Sequence, residues 1–224
     1  MTNDHLSDAK IIDSWHTNAA PWTDAVRNDE IESRRLVTNA AIVDAVLARA
    51  PSTVLDVGCG EGWLARALCE RGARVTGIDV VPSLVDRARE LGGADFRVLS
   101  YEALAAGALD ERFDVVVANF SLIGEQSVDA LVAAAPRLLT PRGALIIQTL
   151  HPVVATGEHP YVDGWRAGSW AGFSSAFSDP APWYFRTISS WIRLIVAGGL
   201  RIVELREPIN PKTGRPASLI LVSS

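Results

Sequence analysis

With 224 residues, 48% of them hydrophobic and 21% charged, the chain has the size and composition of one folded domain and not of a disordered segment. A formal net charge of −5 disfavours a generic binder of phosphate backbones, which needs a basic face, so no nucleic acid partner is expected. The start Met1–His5 lacks the basic opening and apolar run of a signal peptide, and no apolar stretch reaches the ~18 residues of a membrane span, so a cytoplasmic protein is expected.

In chain order, residues 1–50 read as a helical cap. Trp15 and Trp22 lie two helical turns apart, but Pro21 is expected to break the segment. Ile42, Val43, Val46 and Leu47 then recur at helical spacing and Pro51 ends the run. A regular alternation follows over 51–150. Strands are predicted at Thr53–Val57, Arg74–Asp79, Phe96–Ser100, Phe113–Asn119 and Ala144–Leu150, with helices at Trp63–Arg71, Pro82–Leu91 and Val128–Leu139 between them. Strands that are apolar throughout and alternate with helices predict an α/β, doubly wound, mostly parallel sheet covered on both faces. Residues 151–187 break the rhythm with Pro, Gly and Ser, yet hold a run of aromatic residues from Tyr161 to Phe185. A helix over Ile188–Ala197 and strands at Arg201–Arg206 and Leu219–Val222 complete seven predicted strands.

The two cysteines, Cys59 and Cys69, fit no zinc or redox spacing and read as free thiols. No set of residues has metal-ligand spacing.

The first strand runs into Asp56-Val57-Gly58-Cys59-Gly60-Glu61-Gly62, a glycine loop opening a helix. Ligands of open α/β sheets bind beside such a loop, at the carboxyl ends of the strands. The spacing G-x-G-x-G departs from the dinucleotide fingerprint G-x-G-x-x-G. Two acids, Asp56 and Glu61, suit a ligand carrying ammonium and sulfonium groups better than one carrying phosphates. Asp79, 17 residues beyond Gly62, ends the second strand where Rossmann-like sheets place an acid against ribose hydroxyls.

Val54–Gly62 resembles the first motif of class I S-adenosylmethionine-dependent methyltransferases. Thr76–Asp79 resembles their second motif, Phe113–Asn119 their fourth-strand motif, and Leu138–Leu145 their "L-L-x-P-G-G" segment before strand five. The likeness covers about residues 50–150 and is closest to the small-molecule branch that includes the ubiquinone and menaquinone biosynthesis enzymes. It implies a Rossmann-like fold with an N-terminal helical segment and an aromatic-rich insertion after strand five. It implies S-adenosylmethionine as cofactor, S-adenosylhomocysteine as product, and direct in-line methyl transfer to a small-molecule acceptor.

Position by position, the resemblance implies that Gly58, Cys59, Gly60 and Gly62 line the methionine part of the cofactor. Asp56 would take its ammonium and Asp79 its ribose, with Val80 on the adenine. Ser100, Tyr101 and Glu102 stand where relatives often carry an Asp-Ala step against the adenine, and Asn119 and Phe120 would lie by the transferring end. Trp63 is either core or a wall of the cofactor pocket. Trp22 and Arg34, on the N-terminal segment, would fold over the cofactor, with Arg34 or Arg35 facing its carboxylate or standing solvated.

His151, after strand five, is the candidate general base, or else a structural histidine. His16 is a weaker candidate on the acceptor side. Tyr161, Trp165, Trp183 and Tyr184 would wall a flat acceptor under a lid formed by 151–187, or else belong to a satellite core or a homodimer contact. A nicotinamide-dependent oxidoreductase and a cofactor-binding protein without catalysis stand as alternatives, the first opposed by the loop's spacing and acidity.

Overall fold

A computed structural model describes residues 5–224; the expectation for Met1–Asp4 lies outside the described residues. The elements are α1 (Asp8–Arg27), a π-helical turn (Arg34–Thr38) running into α2 (Asn39–Leu47), β1 (Thr53–Val57), α3 (Trp63–Cys69), β2 (Arg74–Asp79), α4 (Pro82–Leu91), β3 (Asp95–Val98), α5 (Tyr101–Ala105), β4 (Phe113–Asn119), α6 (Gln126–Leu138) and β5 (Leu139–Thr149). They continue with α7 (Pro152–Ala155), β6 (Gly164–Arg166), β7 (Trp183–Phe185), α8 (Ile188–Ala197), β8 (Ile202–Arg206) and β9 (Leu219–Ser223).

Seven strands form one sheet in the order β3-β2-β1-β4-β5-β9-β8, parallel except where β9 pairs antiparallel with β5 and β8. Its strands are apolar on both faces because both faces are covered. Val54, Val115, Val117, Ile146, Ile220 and Val222 pack with α2, α3 and α4. Leu55, Val57, Val116, Leu145, Ile147 and Leu221 pack with α6 and α8 on the other side. The chain proceeds outward from β1 to β3, then returns to start again at β4 beside β1. That reversal leaves a crevice beyond the carboxyl ends of β1 and β4, the switch point where such sheets take ligands.

The first helix departs from the sequence expectation: α1 runs unbroken through Pro21 to Arg27. A proline inside a helix costs about 3 kcal/mol. Here tertiary packing offsets it, since Trp15, Ala19 and Trp22 form a cluster with Val81 and Leu84 at the start of α4. A cap at the other end of α1 adds to this. The Asp8 carboxylate accepts the backbone N–H groups of Glu125 and Ser127 at 2.7 and 2.8 Å, at the N-terminus of α6.

The insertion between β5 and α8 carries its own two-stranded hairpin, β6 with β7. The rest of it docks on α1. Ser14 Oγ donates to the Asp179 carbonyl at 2.6 Å, and Asn18 both donates to the Ser178 carbonyl (2.7 Å) and accepts from the Ser178 N–H (3.0 Å). Trp170 and Phe173 meet Trp15 and Trp22 edge-on or tilted, at centroid distances of 6.0 and 6.5 Å. Asn18 is fully buried. Asn18→Ala should therefore leave two backbone groups of the insertion unmatched and destabilise this seam by roughly 1–3 kcal/mol. Chymotryptic cleavage between Trp170 and Phe177 is expected to accelerate before the sheet melts; cleavage at the wild-type rate would contradict the role given to Asn18.

Candidate functional site

A cavity of about 560 Å³ occupies the crevice. Its floor is the glycine loop. The N–H groups of Gly58 and Cys59 both donate to the Ile78 carbonyl, at 2.8 and 2.9 Å, tying the loop to the end of β2. Gly58, Gly60 and Gly62 have φ of 73°, 57° and 87°, a region in which side chains are strained. Gly58, Cys59 and Gly60 line the cavity. Gly62 does not: its face lies against the Phe96 ring, which a Cβ there would approach to 2.6 Å. Its glycine is required by packing under the loop, not by closeness to a ligand.

Asp79 lines the cavity at the end of β2. Its Oδ2 accepts the Gly60 N–H and its Oδ1 the Val81 N–H, each at 2.9 Å, so one carboxylate organises both the glycine loop and the entrance to α4. Burial pushes its carboxyl above the usual carboxylate range, against the pull of those N–H groups.

Asp56 sits one layer deeper, buried between Gly77 of β2 and Val117 of β4 and outside the cavity lining. Burial, and then the charge of Asp79, push it up from 3.8 to about 7, with the Ala65 N–H acting in the opposite direction. The folded chain thus holds a proton on Asp56 that the unfolded chain has released over this window. Stability is greatest near the low end and falls as pH rises through about 7. Thermal melts of the ligand-free protein should show that fall, and Asp56→Asn should make it shallower, leaving the part that the raised Asp79 carboxyl contributes. A wild-type profile as shallow as the variant's would remove Asp56 as its source.

Glu61 carries less free charge than its place in the loop suggests. Its Oε2 is paired with Arg66 at 2.5 Å, while Oε1 is buried without a partner. Arg34, from the π-helical turn, reaches over the same end. Its guanidinium lies 4.8 Å from the centre of the Trp63 ring and 5.6 Å from that of Trp22, its Nε donates to Asn39, and one terminal nitrogen is buried without a partner. Burial lowers it to about 10, so it is cationic at neutral pH. Trp63 lines the cavity beneath it. Arg35 is absent from the lining.

Val80, Ser100, Tyr101, Glu102, Asn119 and Phe120 all line the cavity, as do Trp22 and Arg34. The Ser100 hydroxyl caps α5 by accepting the Ala103 N–H, and the Tyr101 hydroxyl donates to the Ser121 carbonyl. Phe120 has φ of 55°, unusual for a side chain of its bulk. Its N–H is held by the Gln148 carbonyl at 2.8 Å, and the Asn119 Oδ1 beside it is buried without a partner. Strain of this kind collects at working ends of strands.

Much of the remaining lining of the cavity is apolar. Trp15, Trp170, Phe173, Trp183, Tyr184 and Trp191 wall it, with Ile11, Ile12, Leu122 and Ile123. The ionisable groups here are engaged: Asp8 caps α6, and Arg186 donates to the carbonyls of Gly124 and Glu125 and to Asp129. Trp183 and Tyr184 are where the sequence expects them. Four other residues named from the sequence do not line the cavity. His151 is buried with its Nε2 on Glu207 at 2.8 Å; Trp165 donates to Glu125; Tyr161 accepts the Ile188 N–H; His16 is exposed on α1. The residues that sequence reasoning missed carry a signal in hindsight. Asp8, Ile11, Ile12 and Trp15 recur at helical spacing and share one face.

Among the described residues no cluster of His, Cys, Asp and Glu is suited to a metal ion, and no helix is long and apolar enough to cross a membrane.

The fold and cavity define a doubly wound α/β domain of the Rossmann-like kind with its site at the switch point. Residues 54–143 match the family model described as a methyltransferase domain. The chain is 37% identical over 148 residues to the ubiquinone biosynthesis O-methyltransferase of Xanthomonas oryzae pv. oryzae, a match covering 62% of this chain and 60% of the relative. It is 41% identical over 114 residues to the protein of the same name from Xanthomonas axonopodis pv. citri, covering 49% and 47%. It thus spans less than two thirds of the length of these relatives. Among solved structures, it resembles an S-adenosylmethionine-dependent methyltransferase from Mesorhizobium loti, with a TM-score of 0.63 at 21% identity over 81% of this chain and 97% of that one. It also resembles 1,6-didemethyltoxoflavin-N1-methyltransferase from Burkholderia thailandensis with bound S-adenosylhomocysteine, with a TM-score of 0.62 at 22% identity over 92% and 86%. These likenesses establish the fold.

Proposed function

We propose that the protein transfers a methyl group from S-adenosylmethionine to a small, flat, largely apolar acceptor. The observation that carries this reading is one cavity lined both by polar groups, among them Asp79, Gly60 and Arg34, and by a set of aromatic rings. The donor molecule supplies an activated methyl group on a sulfonium. For the ribose hydroxyls the chain offers the Asp79 carboxylate, and for the amino-acid carboxylate the Arg34 nitrogen that is buried without a partner. The buried, unpartnered oxygens of Glu61 and Asn119 are acceptors suited to the ammonium. Asp56, outside the lining, acts through the loop it supports.

At the acceptor end the protein's work is alignment and exclusion of water. His151, bound to Glu207 away from the lining, is poorly placed as a base, and Asp8 is committed to α6. An acceptor that ionises by itself, or a neutral nitrogen, fits this arrangement. The insertion spends Trp170 and Phe173 on α1, which favours its reading as a lid over that of a homodimer contact. We place the reaction in the cytoplasm, where the free thiols of Cys59 and Cys69 stay reduced. The test is transfer of labelled methyl groups to a panel of phenols, catechols and heteroaromatic amines, with S-adenosylhomocysteine binding measured alongside. Turnover on flat aromatics is expected. Binding of NADH in place of S-adenosylhomocysteine would favour an oxidoreductase. Tight cofactor binding without any product across extracts would leave a binding protein.

A further inference from the structure

A second cleft, of about 530 Å³, lies at the opposite end of the strands, by the starts of β4 and β5, and shares no lining residue with the first cavity. It gathers Arg49 after α2, Arg112 before β4, Arg142 at the start of β5 and Arg201 before β8. No Asp or Glu side chain lines it, and the one carboxylate in the lining is that of Ser224. Elsewhere some arginines are matched, as Arg66 is by Glu61, Arg97 by Asp95 and Glu111, and Arg206 by Glu204, while others such as Arg27 and Arg215 are exposed without an ion pair among the described residues. None of the four in the cleft makes an ion pair among the described residues. In a chain of net charge −5, four arginines around one cleft outnumber the carboxylates near them, Ser224 in the lining and Glu204 within electrostatic reach of Arg49, and leave a local excess of positive charge.

The backbone sets this shape. Leu139 pairs with Phe113 and Ala144 with Val115, so Thr140–Gly143 stand opposite Asp114 alone and bulge from the sheet, carrying Arg142. The Asp114 carboxylate, across from this bulge, is occupied. It accepts the N–H groups of Ser52 and Thr53 at 2.9 and 3.0 Å and the Thr140 hydroxyl at 3.1 Å. It pins the bulge and does not neutralise the arginines. At Gly143 a Cβ would come within 2.9 Å of the Phe113 carbonyl oxygen, so the bulge depends on glycine there.

We propose that this cleft binds a small condensed-phosphate anion, free or as the phosphate tail of a nucleotide. Guanidinium forks match phosphate oxygens, and four of them need a ligand that concentrates several charges in a small volume. Convergence on one cleft, in a chain otherwise acidic, favours a compact anion over a nucleic acid strand, which needs an extended basic face.

Calorimetry of the full chain with sodium tripolyphosphate, and in parallel with ATP, tests this. Saturable binding of both is expected. The double variant R112A/R142A should weaken both by roughly tenfold or more. The control R27A/R215A removes two exposed, unpaired arginines outside the cleft and should leave both unchanged. S-adenosylhomocysteine binding should be the same in all three proteins, which also shows that the variants fold. Absence of saturable tripolyphosphate binding would overturn the proposal. So would equal weakening in the control, or binding confined to long single-stranded oligonucleotides.

Discussion

Asp79→Ala is expected to weaken S-adenosylhomocysteine binding by roughly a hundredfold, the loss from removing an ionised acceptor from two hydroxyl groups in a buried site. The alanine variant also frees the N–H groups of Gly60 and Val81, so it disturbs the loop as well as the ligand contact. Asp79→Asn narrows the structural loss without abolishing it. Its amide oxygen can accept one of the two N–H groups, its NH2 then faces the other, and the charge is lost. The asparagine variant should melt between wild type and the alanine variant while still binding much more weakly than wild type. Equilibrium binding and thermal melts decide this together. Wild-type affinity in either variant would take Asp79 out of the site, and a melt lowered in step with affinity would reduce it to a structural group.

The second large effect falls on Gly58. A Cβ there would lie 2.4 Å from the Ser121 Cβ and 2.6 Å from the Tyr101 hydroxyl, at a φ of 73°. Neither neighbour is free to yield. The Ser121 hydroxyl is fixed on the Val57 carbonyl at 2.6 Å and the Tyr101 hydroxyl on the Ser121 carbonyl. Overpacking and left-handed strain together predict a cost of about 2–5 kcal/mol for Gly58→Ala. Gly60→Ala serves as its comparison. At a φ of 57° its Cβ meets nothing nearer than the Trp22 Nε1 at 3.7 Å, so only the backbone term of about 1–2 kcal/mol applies. Denaturant unfolding of both variants should show that gap; equal losses would mean that the contact with Ser121 does not govern the loop.

Much of the core was legible because its signals are local. β1, β2, β4, α4 and α8 begin and end where apolar runs and their flanking turns predict. Asp79 follows from its place at the end of a strand. What was not legible depends on residues distant in sequence. Pro21 is helical because α1 is pressed onto α4. The three-residue strands β6 and β7 exist because they pair with each other. β5 begins earlier than predicted because Leu139 pairs with Phe113 before the bulge. His151 follows a strand at the carboxyl edge, a sound sign of a working group. Whether such a side chain enters the crevice depends on Glu207, which nothing nearby in sequence announces. The aromatic residues of the insertion divide in the same way: Trp183 and Tyr184 face the cavity, while the Trp165 indole is turned to Glu125.

The seam between α1 and the insertion has a consequence for how such a protein can change. The apolar wall of the cavity is written in two stretches more than 140 residues apart, and Ser14 and Asn18 fit the backbone of Ser178 and Asp179. Neither stretch can be exchanged by itself without leaving the other's hydrogen bonds open. Transplanting a foreign insertion into this chain should therefore fail to close the cavity unless the matching first helix travels with it. The glycine loop and Asp79, held by the sheet, would not notice the exchange.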